Sequence, residues 1–183
     1  EEVTALNMSG FRINYQNGND VYKPSTYPKL REAWREQRPK RLWISVPCTL
    51  WCPWQRLNYF GREEVLASRR RKDLKMLNMV VNMVDEMLTE IPDLEVYWEW
   101  PKSAEGWKLY VLDRKFKEVL EKHGKTIYNS YIDGCRFDMK TEEGDKFIRK
   151  SWKIMNTDGR FHQLHGHKTC NQNHEHANIE GKV

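Results

Sequence analysis

The chain has 183 residues and a formal net charge of +5 at pH 7, and 39% of its residues are hydrophobic and 31% charged. This length fits one domain of ~100–200 residues, and the 8 Trp and 8 Tyr residues exclude a disordered chain. No run approaches the ~18 apolar residues of a membrane span, and residues 1–3 lack the basic start of a signal peptide. We therefore expect an intracellular protein, nuclear or cytoplasmic, whose positive charge favours nucleic acid as a partner, DNA over RNA.

Strands and helices are predicted to alternate along the chain. Residues 1–7 are typical of the end of a helix and residues 11–15 of a short strand. Further elements are predicted from apolar periodicity, with helices at 24–37, 63–90 and 109–123 and strands at 42–46, 94–98, 125–132 and 147–156. This alternation predicts an α/β fold with a mostly parallel sheet and helices on both faces. Ligands of such folds bind outside the carboxyl ends of the strands.

Cys48 directly follows the strand predicted at 42–46. At that place a cysteine lies in the ligand crevice near a helix N-terminus, where the helix dipole favours the thiolate. Pro47 stiffens the approach to it and has no backbone donor. A buried structural cysteine is the alternative.

Two more candidates follow later strands. Glu99 ends the strand predicted at 94–98 and stands between Trp98 and Trp100 in the sequence. A carboxyl in such apolar surroundings holds its proton more tightly and can act as an acid, although a helix cap or an ion pair would also explain it. Arg136 follows the strand predicted at 125–132 and is suited to a carboxylate, a phosphate or a base edge, with a surface ion pair as the alternative.

The order of these motifs resembles that of the cytosine-5 DNA methyltransferases. In that family a Pro-Cys dipeptide supplies the nucleophile, a Glu-Asn-Val segment the acid, and a Gln-x-Arg segment follows. The chain is also similar to methyltransferase-like domains of retrotransposon-type polyproteins, over almost its whole length. The resemblance implies a Rossmann-like, methyltransferase-type domain at residues 1–160, truncated at its N-terminal strand, with a Cys/His-rich segment at 161–183 packed on it.

The resemblance implies a covalent mechanism that uses S-adenosylmethionine. Cys48 would attack carbon-6 of a flipped-out cytosine, Glu99 would protonate the neighbouring ring nitrogen, and Arg136 would contact the base carbonyl. Asp20 and Pro47 would contact the cofactor.

Three departures from the family pattern leave the activity open. Glu99 is followed by Trp-Pro instead of Asn-Val, no Gln stands two residues before Arg136, and the glycine-rich cofactor loop is missing because the chain begins inside the helix expected after it. The alternatives are a catalytically inactive module of the same fold that binds nucleic acid or protein, and a zinc-stabilised structural domain.

The C-terminal segment contains a candidate metal site. Cys170, His174 and His176 fall within seven residues, and Cys135 is the preferred fourth ligand. Zinc favours four Cys and His ligands of this kind, although the spacing is not that of a standard zinc finger. Exposed or hydrogen-bonded histidines are the alternative.

A basic run precedes the apolar part of the long predicted helix. It consists of Arg69, Arg70, Arg71 and Lys72. We interpret it either as a solvated helix face or as a patch that follows nucleic-acid phosphates, with Trp51, Trp54 or Trp100 available to stack on bases.

Overall fold

The described part of the chain, Gly10, Gln16 and residues 18–177 of a computed structural model, folds around one four-stranded sheet. Helices accompany this sheet, which confirms the predicted α/β class. The helix end predicted at residues 1–7 and the strand predicted at 11–15 lie outside the described residues.

The long helix begins and ends where the sequence predicts. Glu63 and Glu64 occupy its first turn, where acidic side chains stabilise the helix dipole, and Pro92 follows its last residue. Residues 109–123 form a π-helical turn, Val111–Lys115, and then a short α-helix. In the described part of the chain, no helix has both the length and the apolar character that crossing a bilayer requires. The helices are α1 (Thr26–Gln37), α2 (Gln55–Asn58), α3 (Glu63–Glu90), α4 (Phe116–Lys122) and α5 (Gly159–His165).

The sheet contains β1 (Arg41–Ile44), β2 (Glu95–Pro101), β3 (Tyr128–Asp133) and β4 (Ser151–Asn156) in the order β1-β2-β4-β3. Strands β1 and β2 pair in parallel, with Arg41 opposite Glu95. Strand β4 runs antiparallel to both of its neighbours. The described sheet is therefore mixed, with one parallel pair among its three pairings.

The reversed direction of β4 has a local cause. A parallel pair needs a crossover connection, usually a helix. Residues 134–150, which join β3 to β4, contain a 3-10 turn at Gly134–Phe137 and no α-helix, so β4 returns antiparallel beside β3. Because β4 opposes both β2 and β3, strands β1, β2 and β3 still run in one direction, and their carboxyl ends share one edge of the sheet.

Side-chain alternation along β2 divides the packing between the two faces. On one face Trp98 is fully buried and meets Phe116 of α4, with ring centroids 5.1 Å apart. On the other face Tyr97 stacks on Trp43 at 5.2 Å and contacts Phe161 of α5 edge-on at 5.4 Å. Helices thus cover both faces of the sheet, as predicted.

Asp158 supplies a test of this second face. Its carboxylate caps α5 by accepting a hydrogen bond from the backbone N–H of Phe161 (2.9 Å), and it accepts another from the hydroxyl of the buried Tyr97 (2.5 Å). Replacing Asp158 with Ala should lower the free energy of unfolding by about 2–4 kcal/mol, since a lost cap costs about 1 kcal/mol and an unpaired buried hydroxyl about 1–3 kcal/mol. Urea unfolding measures this, and Asp158→Asn, which keeps an acceptor, should lose clearly less.

The same residue predicts a pH dependence. Burial acts to raise the pKa of Asp158, but the hydrogen bonds from Tyr97 and the Phe161 amide outweigh it and hold the pKa below its usual value. A lowered pKa means that the carboxylate stabilises the fold fully above pH about 4 and loses this effect as the pH falls through the folded-state pKa. The stability difference between the wild type and Asp158→Ala should therefore shrink in acid, and a difference that stays constant down to complete protonation would contradict the assignment.

Candidate active-site edge and metal cluster

The loop after β1 places Cys48 at the carboxyl edge of the sheet. Cys48 precedes a 3-10 turn, Thr49–Trp51, and its carbonyl accepts a hydrogen bond from the backbone N–H of Trp51 at 2.9 Å. The side chain is half-buried against the core, and Pro47 before it is exposed. Val46 is fixed by the indole of Trp100, which donates to its carbonyl at 2.7 Å.

Helix α3 fastens the other end of this loop. The buried carboxylate of Asp73 accepts hydrogen bonds from the Trp51 indole (2.8 Å) and the Tyr22 hydroxyl (2.5 Å). Arg70 donates to the carbonyl of Leu50 at 2.9 Å, and its guanidinium lies 4.7 Å from the centroid of the Trp51 ring. The Cys48 loop is thus held at Val46, Leu50 and Trp51 and is rigidly positioned.

The charge state of Cys48 differs from the prediction. Burial, the largest effect, raises the pKa of its thiol, the nearby Cys52 and Glu99 raise it further, and Lys150 and a backbone hydrogen bond oppose the change. The predicted thiolate relied on the dipole of a following helix, but a three-residue 3-10 turn supplies little dipole. The resting side chain is therefore a thiol.

Glu99 reaches the same edge but on a different face from the one predicted. Trp98 and Trp100 point to the α4 side of the sheet, so strand alternation turns Glu99 away from both indoles. Its carboxylate accepts a hydrogen bond from the indole of the exposed Trp43 at 3.1 Å. The predicted apolar setting between two indoles is wrong, whereas the predicted nearness to Cys48 is supported by the effect of Glu99 on the thiol.

Asp20 begins the turn that leads into α1. Its side chain accepts a hydrogen bond from the backbone N–H of Tyr22 (3.0 Å), and its carbonyl accepts one from the hydroxyl of Thr26 (2.7 Å). Since the Tyr22 hydroxyl bonds to Asp73, this turn and the Cys48 loop share one anchor on α3. The structure therefore brings Asp20 and Pro47 to neighbouring segments.

The basic run on α3 does not form one surface. Arg70 is turned inward to the Cys48 loop and also pairs with Glu105 at 3.1 Å, so its prediction as a nucleic-acid contact is corrected to a structural role. Arg69 bonds to the hydroxyl of Tyr59, whereas Arg71 and Lys72 are exposed.

Two of the three predicted stacking residues are also corrected. Trp51 and Trp100 are buried against the core, because each uses its indole N–H to hold the Cys48 loop. Trp54 is 69% exposed and is the only one of the three that is open to a ligand.

Four predicted metal ligands converge beyond the end of β3. The ligand atoms of Cys135, Cys170, His174 and His176 all lie within 4.8 Å of one another. The sulfur of Cys170 is 3.7 Å from Nε2 of His174 and 3.4 Å from Nε2 of His176. A tetrahedral zinc ion with ordinary bond lengths separates a sulfur from a nitrogen ligand by about 3.6 Å. The four side chains therefore fit a zinc ion.

Outer contacts orient the metal cluster. The Nδ1 atom of His174 lies 2.9 Å from the side-chain oxygen of Asn173, which leaves Nε2 directed at the cluster. The backbone N–H of Gln172 donates to the sulfur of Cys170 at 3.2 Å. Cys135 is buried in the 3-10 turn after β3, and Arg136 beside it is exposed.

Asp133 connects the metal cluster to the sheet. Its buried carboxylate accepts hydrogen bonds from the backbone N–H of Cys170 (2.7 Å) and from the hydroxyl of Ser151 in β4. Burial opposes ionisation, but these bonds and the nearby Arg149 hold the pKa of Asp133 below its usual value. Residues 166–168 continue the contact, since their carbonyls accept from backbone N–H groups of β3.

No family model, curated protein or solved structure matches the chain. What is established is the class that fold and site define, an α/β domain with a mixed sheet and a Cys₂His₂ cluster at its carboxyl edge.

The sequence analysis did not identify Asp73 or Asp133 as organising residues. For Asp73 a signal exists: it lies seven residues after Leu66 and four before Leu77, so an acidic side chain occupies a core position of the helix. Asp133 directly precedes the Gly-Cys pair, but only the return of Cys170 to β3 reveals its partners.

Arg70 and Arg71 provide a matched pair on one helix. Arg70→Ala should reduce the free energy of unfolding by about 1.5–3 kcal/mol, because a charged hydrogen bond to the Leu50 carbonyl is lost. Arg71→Ala, at an exposed position, should stay within about 0.5 kcal/mol of the wild type. Urea unfolding measures both, and alkylation of Cys48 should be faster in Arg70→Ala because its loop is loosened. Equal behaviour of the two variants would contradict the anchoring role.

Proposed function

We propose that this chain is a methyltransferase-like, Rossmann-like domain that acts on or binds nucleic acid, with a structural zinc ion at its C-terminal cluster. Cys48 is the proposed nucleophile towards cytosine and Glu99 the proposed acid. The observation that carries the proposal is the position of these two groups at one edge of the sheet, close enough for the carboxylate to affect the thiol.

Strand direction supports this arrangement. Strands β1, β2 and β3 run in one direction, so the residues that follow them, Cys48, Glu99 and Arg136, belong to the edge where ligands of α/β sheets bind. The reversed β4 leaves this intact. Anchoring of the Cys48 loop at three points also supports it, since a nucleophile must be held in a fixed position to react efficiently.

In the proposed reaction the Cys48 sulfur forms a bond to carbon-6 of cytosine after losing its proton. The electron pair displaced from the ring double bond moves towards carbon-5, and a proton from the Glu99 carboxyl neutralises the ring nitrogen. Asp20 and Pro47, on neighbouring segments, are the residues that would hold S-adenosylmethionine. That cofactor supplies the methyl group for carbon-5.

An oligonucleotide containing 5-fluorocytosine tests the reaction. Fluorine on carbon-5 cannot leave as a proton does, so an adduct with Cys48 should survive denaturing electrophoresis when S-adenosylmethionine is present. Cys48→Ser should form no adduct and Cys52→Ser, a matched neighbour, should form one. An adduct that persists in Cys48→Ser would exclude Cys48 as the nucleophile.

A catalytically inactive nucleic-acid-binding module is the second candidate. The raised pKa of the Cys48 thiol and the hydrogen bond that holds Glu99 to Trp43 favour it, because neither group is poised for chemistry. In that case no adduct forms with any variant, while salt-sensitive binding of the oligonucleotide remains.

Zinc is proposed to fasten residues 170–177 to the turn after β3. We expect one ion per chain, since the described residues contain one such four-ligand cluster. Cys170→Ser should weaken zinc binding strongly and lower the melting temperature of the zinc-loaded protein, because a ligand is lost and zinc binding contributes to folding. Cys52→Ser serves as the control. Visible absorption of bound cobalt reports thiolate ligation, and an unchanged spectrum in Cys170→Ser would rule out this ligand set.

A further inference from the structure

Five cationic side chains surround the end of β3 and the turn that follows it. All of them are exposed or, for Arg149, 44% exposed at the side chain. Each lies within residues 131–137 or contacts that segment. We call this surface the basic rim; it consists of Lys102, Arg136, Arg149, Lys150 and Lys168.

Aromatic rings hold two of these lysines by their ammonium groups. The Nζ atom of Lys102 lies 5.5 Å from the centroid of the Tyr131 ring, and that of Lys168 lies 5.5 Å from the Phe137 ring. Neither lysine forms an ion pair among the described residues. A cation on a ring face keeps its charge available to a further anion.

The remaining members continue the rim towards the Cys48 loop. Lys150 lies over the ring of Trp152 at 5.2 Å, and its carbonyl accepts a hydrogen bond from the backbone N–H of Gly134 at 2.9 Å. The Nε atom of Arg149 lies 3.6 Å from the carboxylate of Asp133. Lys150 also lowers the pKa of the Cys48 thiol, so the rim reaches the candidate nucleophile.

Nearby acidic groups do not cancel this charge. Asp133 is buried and committed to its own hydrogen bonds, and the exposed Asp138 pairs with Lys140 at 3.0 Å. The rim therefore presents net positive charge to solvent.

We propose that the basic rim binds the backbone phosphates of a single nucleic-acid strand and directs that strand past Cys48. This rests on the proposed nucleic-acid function and assigns it to a surface other than the basic run on α3. Several exposed cations along one edge, interleaved with aromatic rings, match a line of phosphates and unstacked bases better than one small anion, which needs donors that converge on a point.

Two matched double variants test the assignment. Lys102→Gln with Lys150→Gln removes two rim charges, and Arg71→Gln with Lys72→Gln removes two exposed charges of the α3 run. Binding of a fluorescent single-stranded oligodeoxynucleotide is measured between about 50 and 200 mM salt. The rim variant should bind more weakly, and the slope of log affinity against log salt should fall by about 2, one for each lost phosphate contact. The α3 variant should match the wild type, and thermal unfolding shows that each variant is folded.

The outcomes separate the inference from the function on which it rests. If the wild type binds and only the α3 variant loses affinity, the strand lies on α3 and the rim is excluded. Equal losses in both variants would show a general effect of net charge and would also overturn the assignment. If the wild type binds no oligonucleotide, nucleic-acid binding itself fails.

Discussion

The carboxylate of Asp133 lies where strand β3, strand β4 and the C-terminal segment meet. Ser151 and the backbone N–H of Cys170 bond to it from two different parts of the chain. A buried carboxylate is costly unless such partners compensate for its lost hydration. The position of Cys170, and therefore the geometry of the whole metal cluster, depends on this compensation, so cluster and sheet form one unit rather than a separate finger.

Asp73 serves the opposite end of the carboxyl edge in a comparable way. Its burial raises its pKa, and the hydrogen bonds from Tyr22 and Trp51 together with the charge of Arg70 counteract that change. Through these bonds one carboxylate on α3 connects the turn before α1 with the Cys48 loop. The candidate nucleophile is thus held by a polar network on its helix side and by the Trp100 indole on its sheet side.

Much of the fold could be predicted because its signals are local. Apolar spacing along α3 predicts that helix to its exact ends, and the clustering of Cys170, His174 and His176 within seven residues predicts three members of the metal cluster. The direction of β4 was not predicted, since it depends on the absence of a crossover helix in residues 134–150.

Site details that depend on tertiary contacts were harder to predict. Arg70 has the same local sequence signal as Arg71, and only its contact with Leu50 distinguishes them. The face of Glu99 was readable in principle, because Trp98 and Trp100 at alternate positions must share the opposite face. The nearness of Cys48 and Glu99 followed from strand order alone, which explains why it was predicted while their surroundings were not.

The pairing of residues 166–168 with β3 also has a consequence for solubility. An outer strand with free backbone N–H groups is a template for sheet-to-sheet association between molecules. Here the N–H groups of Tyr131 and Asp133 already donate to the carbonyls of Gly166 and Lys168. The segment that leads into the metal cluster therefore acts as a guard on this strand, and a protein whose C-terminal segment is cut away would be expected to self-associate through β3.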